Sequence, residues 1–147
     1  MLLSQRCEYA LRTALYVAAA APGAYIAVRE ISSALGIPYH FLAKIVQTLT
    51  GAGLFQSMRG PTGGVALARP AARITLKDIV LAVDGPAVFR ECVLGLPGCG
   101  DREPCPLHDQ WAPARAEVGR MFGEATLADT AARIQAGGFR LANLAPA

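Results

Sequence analysis

Apolar side chains recur three and four positions apart over most of this chain, the period of helices that each bury one face. In "SQRCEYALRTALYVAAA", Leu11, Ala14, Leu15 and Ala18 share a face and Ser4 can cap the start, which predicts a helix over residues 4–20. "APGAY" breaks it. The following "AVREISSALGIPYHFLAKIVQTLTGAG" reads as two helices about a tight turn. The first runs from Val28 to Leu35, Gly36 suits a left-handed cap, Pro38 stands near the start of the second, and Gly51 and Gly53 end it. That is helix-turn-helix spacing. On the second helix Leu42, Ile45, Val46 and Leu49 fall on one side, and His40, Lys44 and Gln47 on the other.

The period then changes. "GLFQSMRGPTGGVALARP" holds two strand-like runs, Leu54 to Met58 and Val65 to Ala68, joined by a loop of glycine, proline and one arginine. A hairpin directly after a helix-turn-helix is a wing, and Arg59 at its tip can enter a narrow minor groove or pair with phosphates. A nucleotide-cradling loop is excluded, because the lysine and following helix of a P-loop are missing. "ITLKDIVLAVDG" predicts a helix capped by Thr75 and ended by Gly85. From Pro106 a long helix follows, with Leu107, Trp111, Ala114, Val118, Met121, Phe122 and Ala125 in one stripe that calls for a twin helix across a two-fold axis. "TLADTAARI" adds a short last helix.

The predicted fold is mostly α: a winged helix-turn-helix domain over 1–85 with a small β-hairpin wing, a cysteine-rich loop over 86–106, a long C-terminal dimerisation helix region over 107–135 and a flexible tail over 136–147. With 147 residues, 53% of them hydrophobic and 17% charged, the chain can bury one real core and is not disordered. The net charge of +3 is unevenly spread: residues 1–80 carry eight Lys/Arg against three Asp/Glu, and residues 81–147 carry six against eight. A basic front half fits phosphate binding. No apolar run reaches the roughly eighteen residues of a membrane span. Glu8 and the helical stripe argue against a signal peptide, so the start reads as the first helix of a cytoplasmic protein. No paired nucleophile and base and no metalloprotease pattern occurs, which argues against an enzyme.

Three of the four cysteines fall in "ECVLGLPGCGDREPCPLHDQW", as C-x6-C-x5-C with a histidine three residues later: Cys92, Cys99, Cys105 and His108. Two disulfides fit poorly, because three cysteines crowd one loop and Cys7 lies far upstream, where it suits a buried apolar position. Structural zinc favours closer cysteine pairs. Thiolates and an imidazole wrapped by Gly95, Gly98 and Gly100 suit an iron-sulfur cluster, with metal bonds supplying the order that packing cannot.

The succession of helix, helix-turn-helix, "RGPTGG" wing, linker helix, three-cysteine loop and long helix resembles the IscR/NsrR-type bacterial iron-sulfur transcriptional regulators, over roughly residues 1–135. The resemblance implies a homodimer of winged-helix domains that binds a double-stranded DNA operator. It also implies a cluster, 2Fe–2S ahead of 4Fe–4S, on Cys92, Cys99 and Cys105. The fourth ligand it implies is His108, with Glu8 of the other subunit as the alternative. Tyr39, His40, Lys44, Gln47 and Thr48 on the second helix, with Arg59 and Gly60 in the wing, form the DNA-facing set. The implied function is regulation by redox, iron or nitric oxide status; the alternative is the same fold sensing through bare thiols or a bound metal ion. Two departures stand out: the first cysteine gap is one residue longer than in the best-known IscR-type loop, and position 43 is Ala43 where some IscR proteins place an acidic residue.

Overall fold

The computed structural model describes residues 2–142. Helix α1 (Gln5–Ala19) begins where the Ser4 hydroxyl accepts the Cys7 N–H at 3.0 Å, and it buries Cys7, Ala10, Thr13, Ala14 and Val17. Helices α2 (Val28–Leu35) and α3 (Tyr39–Gly51) form the predicted helix-turn-helix. Gly36 caps α2 in the left-handed conformation at φ 65°, and the Ser32 hydroxyl donates to the Ile37 carbonyl at 2.6 Å, which closes the turn. Leu42, Ile45, Val46 and Leu49 of α3 are all buried, as their spacing predicts.

The wing pairs β1 (Phe55–Met58) with β2 (Gly64–Leu67) antiparallel, Phe55 opposite Leu67 and Met58 opposite Gly64. Ile26 and Val65 exchange both backbone hydrogen bonds at 2.9 Å, so the chain entering α2 lies against the hairpin as a third edge. That contact explains the second of the paired glycines. Gly64 has φ 147°, and a Cβ there would stand 2.0 Å from the Ile26 carbonyl oxygen. A Cβ on Gly63 would stand 2.1 Å from the Met58 carbonyl oxygen.

Helix α4 (Leu76–Val83) opens with a full capping box, Asp78 N–H donating to the Thr75 hydroxyl and Thr75 N–H to the Asp78 carboxylate. After the short α5 (Ala87–Arg90), which no periodicity announced, comes the cysteine loop and then α6 (His108–Glu124) and α7 (Leu127–Gln135). Backbone bonds from Leu76 N–H to the Ala125 carbonyl at 2.9 Å and from Leu127 N–H to the Ile74 carbonyl at 2.8 Å tie the start of α7 to the start of α4. Leu127 of α7 therefore lies in the same buried cluster as Ala14, Ile31, Leu42 and Ile79, and α7 completes the winged-helix core instead of extending away from it. Leu141 returns to that core, and Arg12 donates to its carbonyl as well as to that of Leu35. Residues 143–147 of the expected tail lie outside the described residues.

The long helix is less free than its apolar stripe suggested. Phe122 packs edge-on against Phe89 with ring centroids 6.1 Å apart, and the Trp111 indole N–H donates to the Glu91 carbonyl at 2.9 Å, so part of the stripe rests on the segment that includes α5. Leu107 and Met121 face outward, and His108 is the one buried residue of α6. Among the described residues, no helix is long and apolar enough to cross a membrane.

Gly64→Ala should lower the thermal stability of the fold by about 2–3 kcal/mol through backbone strain and the clash with Ile26. Gly60→Ala, where the backbone is also left-handed at φ 109° but the space is open, should cost clearly less. Equal melting temperatures for the two variants would contradict the account of the wing.

Candidate functional site

The residues predicted to face DNA are exposed or half-buried. Packing Leu42, Ile45, Val46 and Leu49 into the core turns His40, Lys44 and Gln47 of α3 outward, with Tyr39 and Thr48 half-buried at its edges. Arg59 and Gly60 are exposed at the wing tip. Two arginines that the sequence reading did not single out join this face: the Arg29 guanidinium lies 4.4 Å from the centre of the Tyr39 ring, and Arg6 donates to the Thr48 hydroxyl. The charge excess of the front half had marked the region; which of its arginines flank α3 depends on tertiary packing. Arg12, by contrast, is spent on internal carbonyls.

The cysteine loop starts at a buried residue, Cys92, and returns to one, His108 in the first turn of α6. Between them nothing else is buried: Cys99, Gly100 and Cys105 are half-buried, and the remaining residues are exposed. Yet the four candidate ligands come together in two pairs. Cys92 Sγ stands 3.5 Å from Cys105 Sγ, and Cys99 Sγ stands 3.6 Å from His108 Nδ1. Two donors on one tetrahedral metal with bonds of about 2.0–2.3 Å are separated by roughly 3.3–3.8 Å, so each pair already has the span of a shared metal. Among the described residues, no three His, Cys, Asp or Glu side chains surround a single metal position. The donor types present, three thiols and an imidazole, are ones that an iron-sulfur cluster accepts.

Local electrostatics prepare the sulfurs unequally. The Leu94 N–H, 3.4 Å from Cys92 Sγ, holds that thiol below its ordinary range against the cost of burial, helped by the Leu96 N–H and by the Cys105 and Cys99 thiols. The Leu107 N–H acts on Cys105 in the same sense, but burial and the charges of Cys92 and Cys99 outweigh it and push the Cys105 thiol up. Three thiolates so close repel one another, and a bound cation relieves that repulsion. His108 Nε2 lies 3.0 Å from the Asp101 carboxylate; with the proton on Nε2, Nδ1 presents a free lone pair toward Cys99.

Glu8 is not brought to this site within one chain: it is half-buried in the first turn of α1. Cys7 beside it is fully buried, and burial together with the Asp84 carboxylate pushes its thiol up to about 12, so it stays a neutral packing residue. Two residues near the ligands escaped the sequence reading. Asp101 was one of several acidic loop residues with nothing to distinguish it. Arg115, whose Nη1 donates to Cys99 Sγ at 3.2 Å, is seven positions after His108 and so on the same face of α6, a periodicity that could have found it.

Comparison with known proteins identifies the family. The family model Rrf2, described as an iron-dependent transcriptional regulator, matches residues 3–133. Rv1287 of Mycobacterium tuberculosis, whose name places it among HTH-type transcriptional regulators, is 38% identical over 133 residues, 89% of this chain and 81% of its own length. The HTH-type transcriptional regulator IscR of Xenorhabdus nematophila is 30% identical over 127 residues, covering 86% of this chain and 77% of IscR. Among solved structures, CymR, the global cysteine regulator of B. subtilis, superposes with a TM-score of 0.76 at 25% identity, covering 89% of this chain and 96% of CymR. These are regulators and not enzymes, and they share the mostly helical winged-helix architecture. The chain belongs to the Rrf2 family of transcriptional regulators.

Proposed function

We propose that this regulator binds a palindromic operator as a cytoplasmic homodimer and holds in its cysteine loop an iron-sulfur cluster of the 2Fe–2S type, through which it responds to redox, iron or nitric oxide status. The observation that carries this reading is the meeting of Cys92 with Cys105 and of Cys99 with His108 in a loop that packing does not order. The family description and the IscR relative support it.

When bound, the cluster supplies an iron centre that gains or loses an electron and reacts with small oxidants. The chain's own residues do the rest. Leu94 directs its backbone N–H at Cys92 and favours its thiolate, while the Leu107 N–H offsets part of the rise that burial and the neighbouring cysteines impose on Cys105. Asp101 holds His108 with Nδ1 facing Cys99, which favours His108 as fourth ligand over Glu8 of the second copy. His108 opens α6, so a change in how the loop is held acts directly on the long helix. Gln47, Lys44 and His40 reach base edges in the major groove while Arg59 meets the minor groove or its phosphates. Tyr39, Thr48 and Gly60 border those contacts. The outward Leu107 and Met121, 40% and 50% exposed, give α6 an apolar edge for its twin.

A second reading has its own support. Cys92 and Cys105 lie close enough for thiol chemistry without iron, and CymR, a regulator of the same fold, carries the name of a cysteine regulator. The visible spectrum separates the two.

Anaerobically purified protein should absorb in the visible range and contain iron and acid-labile sulfide. Single changes of Cys92, Cys99 or Cys105 to Ala should remove most of both, and His108→Ala should shift the spectrum or weaken retention more than Glu8→Ala. Iron content unchanged in all three cysteine variants contradicts the cluster.

Light scattering at micromolar concentration should report twice the mass of one chain; a monomer excludes the twin-helix dimer.

Gln47→Ala should relax preference at particular base pairs by about 1–3 kcal/mol. Arg59→Ala should weaken binding to many sequences and reduce the salt dependence by roughly one ion per lost contact. Titrations against operator and scrambled DNA at several salt concentrations distinguish these effects, and unchanged affinity in both variants removes this face as the DNA-binding surface.

A further inference from the structure

Arg115 is the one cation that touches a candidate ligand sulfur among the described residues. A single nitrogen of its guanidinium, Nη1, donates to Cys99 Sγ at 3.2 Å, to the Arg90 carbonyl at 2.8 Å and to the Glu91 carbonyl at 3.2 Å. One turn earlier on α6, Trp111 holds the same Glu91 carbonyl. The end of α5, the middle cysteine of the loop and the face of α6 that begins with His108 are thus joined at one charged group. The surface ion pairs further along α6 differ in kind, since Arg120 meets only Glu117 and Glu124, both exposed and on its own helix.

We propose that Arg115 is a positioning residue of the cysteine-loop centre, setting its reduction potential and tying Cys99 to the long helix. The inference rests on the cluster reading above. A cationic donor on a ligand sulfur draws off charge and stabilises the state with one more electron, so its presence raises the potential. Lysine keeps the charge but carries it on a flexible stem without the rigid guanidinium plane, so Arg115→Lys separates the effect of charge from that of fixed placement.

The test is an anaerobic redox titration of the intact, cluster-loaded protein with a one-electron chemical reductant, followed in the visible spectrum, for the unaltered chain and for Arg115→Gln, Arg115→Lys and Arg120→Gln. The midpoint should move to lower potential in Arg115→Gln, less so in Arg115→Lys, and stay unchanged in Arg120→Gln. If Arg115→Gln loads poorly, recovery of iron and sulfide in Arg115→Lys supports the proposal. Full loading with an unchanged midpoint in both Arg115 variants overturns it and leaves the cluster reading intact. Equal loss of loading in both, with an equal fall in melting temperature of the iron-free protein, reduces Arg115 to a structural clamp and also overturns it. No chromophore in the unaltered chain removes the cluster reading and this inference together.

Discussion

The loop from Cys92 to His108 is held by contacts among its sulfur, imidazole and charged groups and by little else. Its side chains between those two residues bury almost nothing, its glycines favour the unfolded chain entropically, and its few internal backbone hydrogen bonds join neighbours in sequence. The pairs Cys92–Cys105 and Cys99–His108 are therefore the constraint on which the rest of the sensing half depends. Three thiols in one place are also mutually unfavourable once ionised. A cation resolves that conflict.

The DNA-reading half rests on different physics. Its geometry follows from ordinary burial: four apolar residues of α3 face inward, so the polar side must face out, and the Ile26–Val65 bridge fixes where the wing stands beside it. Electrostatics enters afterwards, through Lys44, Arg59 and the flanking Arg6 and Arg29. The two halves meet in α4. Ser4, the cap of α1, binds the Asp84 carboxylate at the end of α4, and α6 packs on α4 from the other side, so movement of the long helix has a packed route to the helix that lies beside α3.

Where one residue type has one local role, the sequence was readable. Ser4 and Thr75 cap helices, Gly36 turns the chain, the α3 stripe is buried, and the paired wing glycines sit where side chains do not fit. Periodicity does not say what a stripe packs against. The α6 stripe suits a second copy or its own domain, and Phe122 rests on Phe89 and Trp111 on Glu91; α7 was grouped with the dimerisation region over 107–135, yet Leu127 belongs to the main core. Both depend on contacts across many residues of sequence. At the site, cysteine spacing was enough to single out the four side chains that come together in two pairs, but not to show that Asp101 lies against His108 or that Arg115 reaches Cys99, since each is an ordinary charged residue until the loop folds back.

Iron-edge X-ray absorption on the anaerobic protein tests the central claim most directly, because it reports the donors themselves. The account predicts sulfur as the dominant first shell, a minor nitrogen contribution from His108 that disappears in His108→Cys, and a short iron–iron vector. A shell of oxygen and nitrogen alone, with no iron–iron vector, would contradict it.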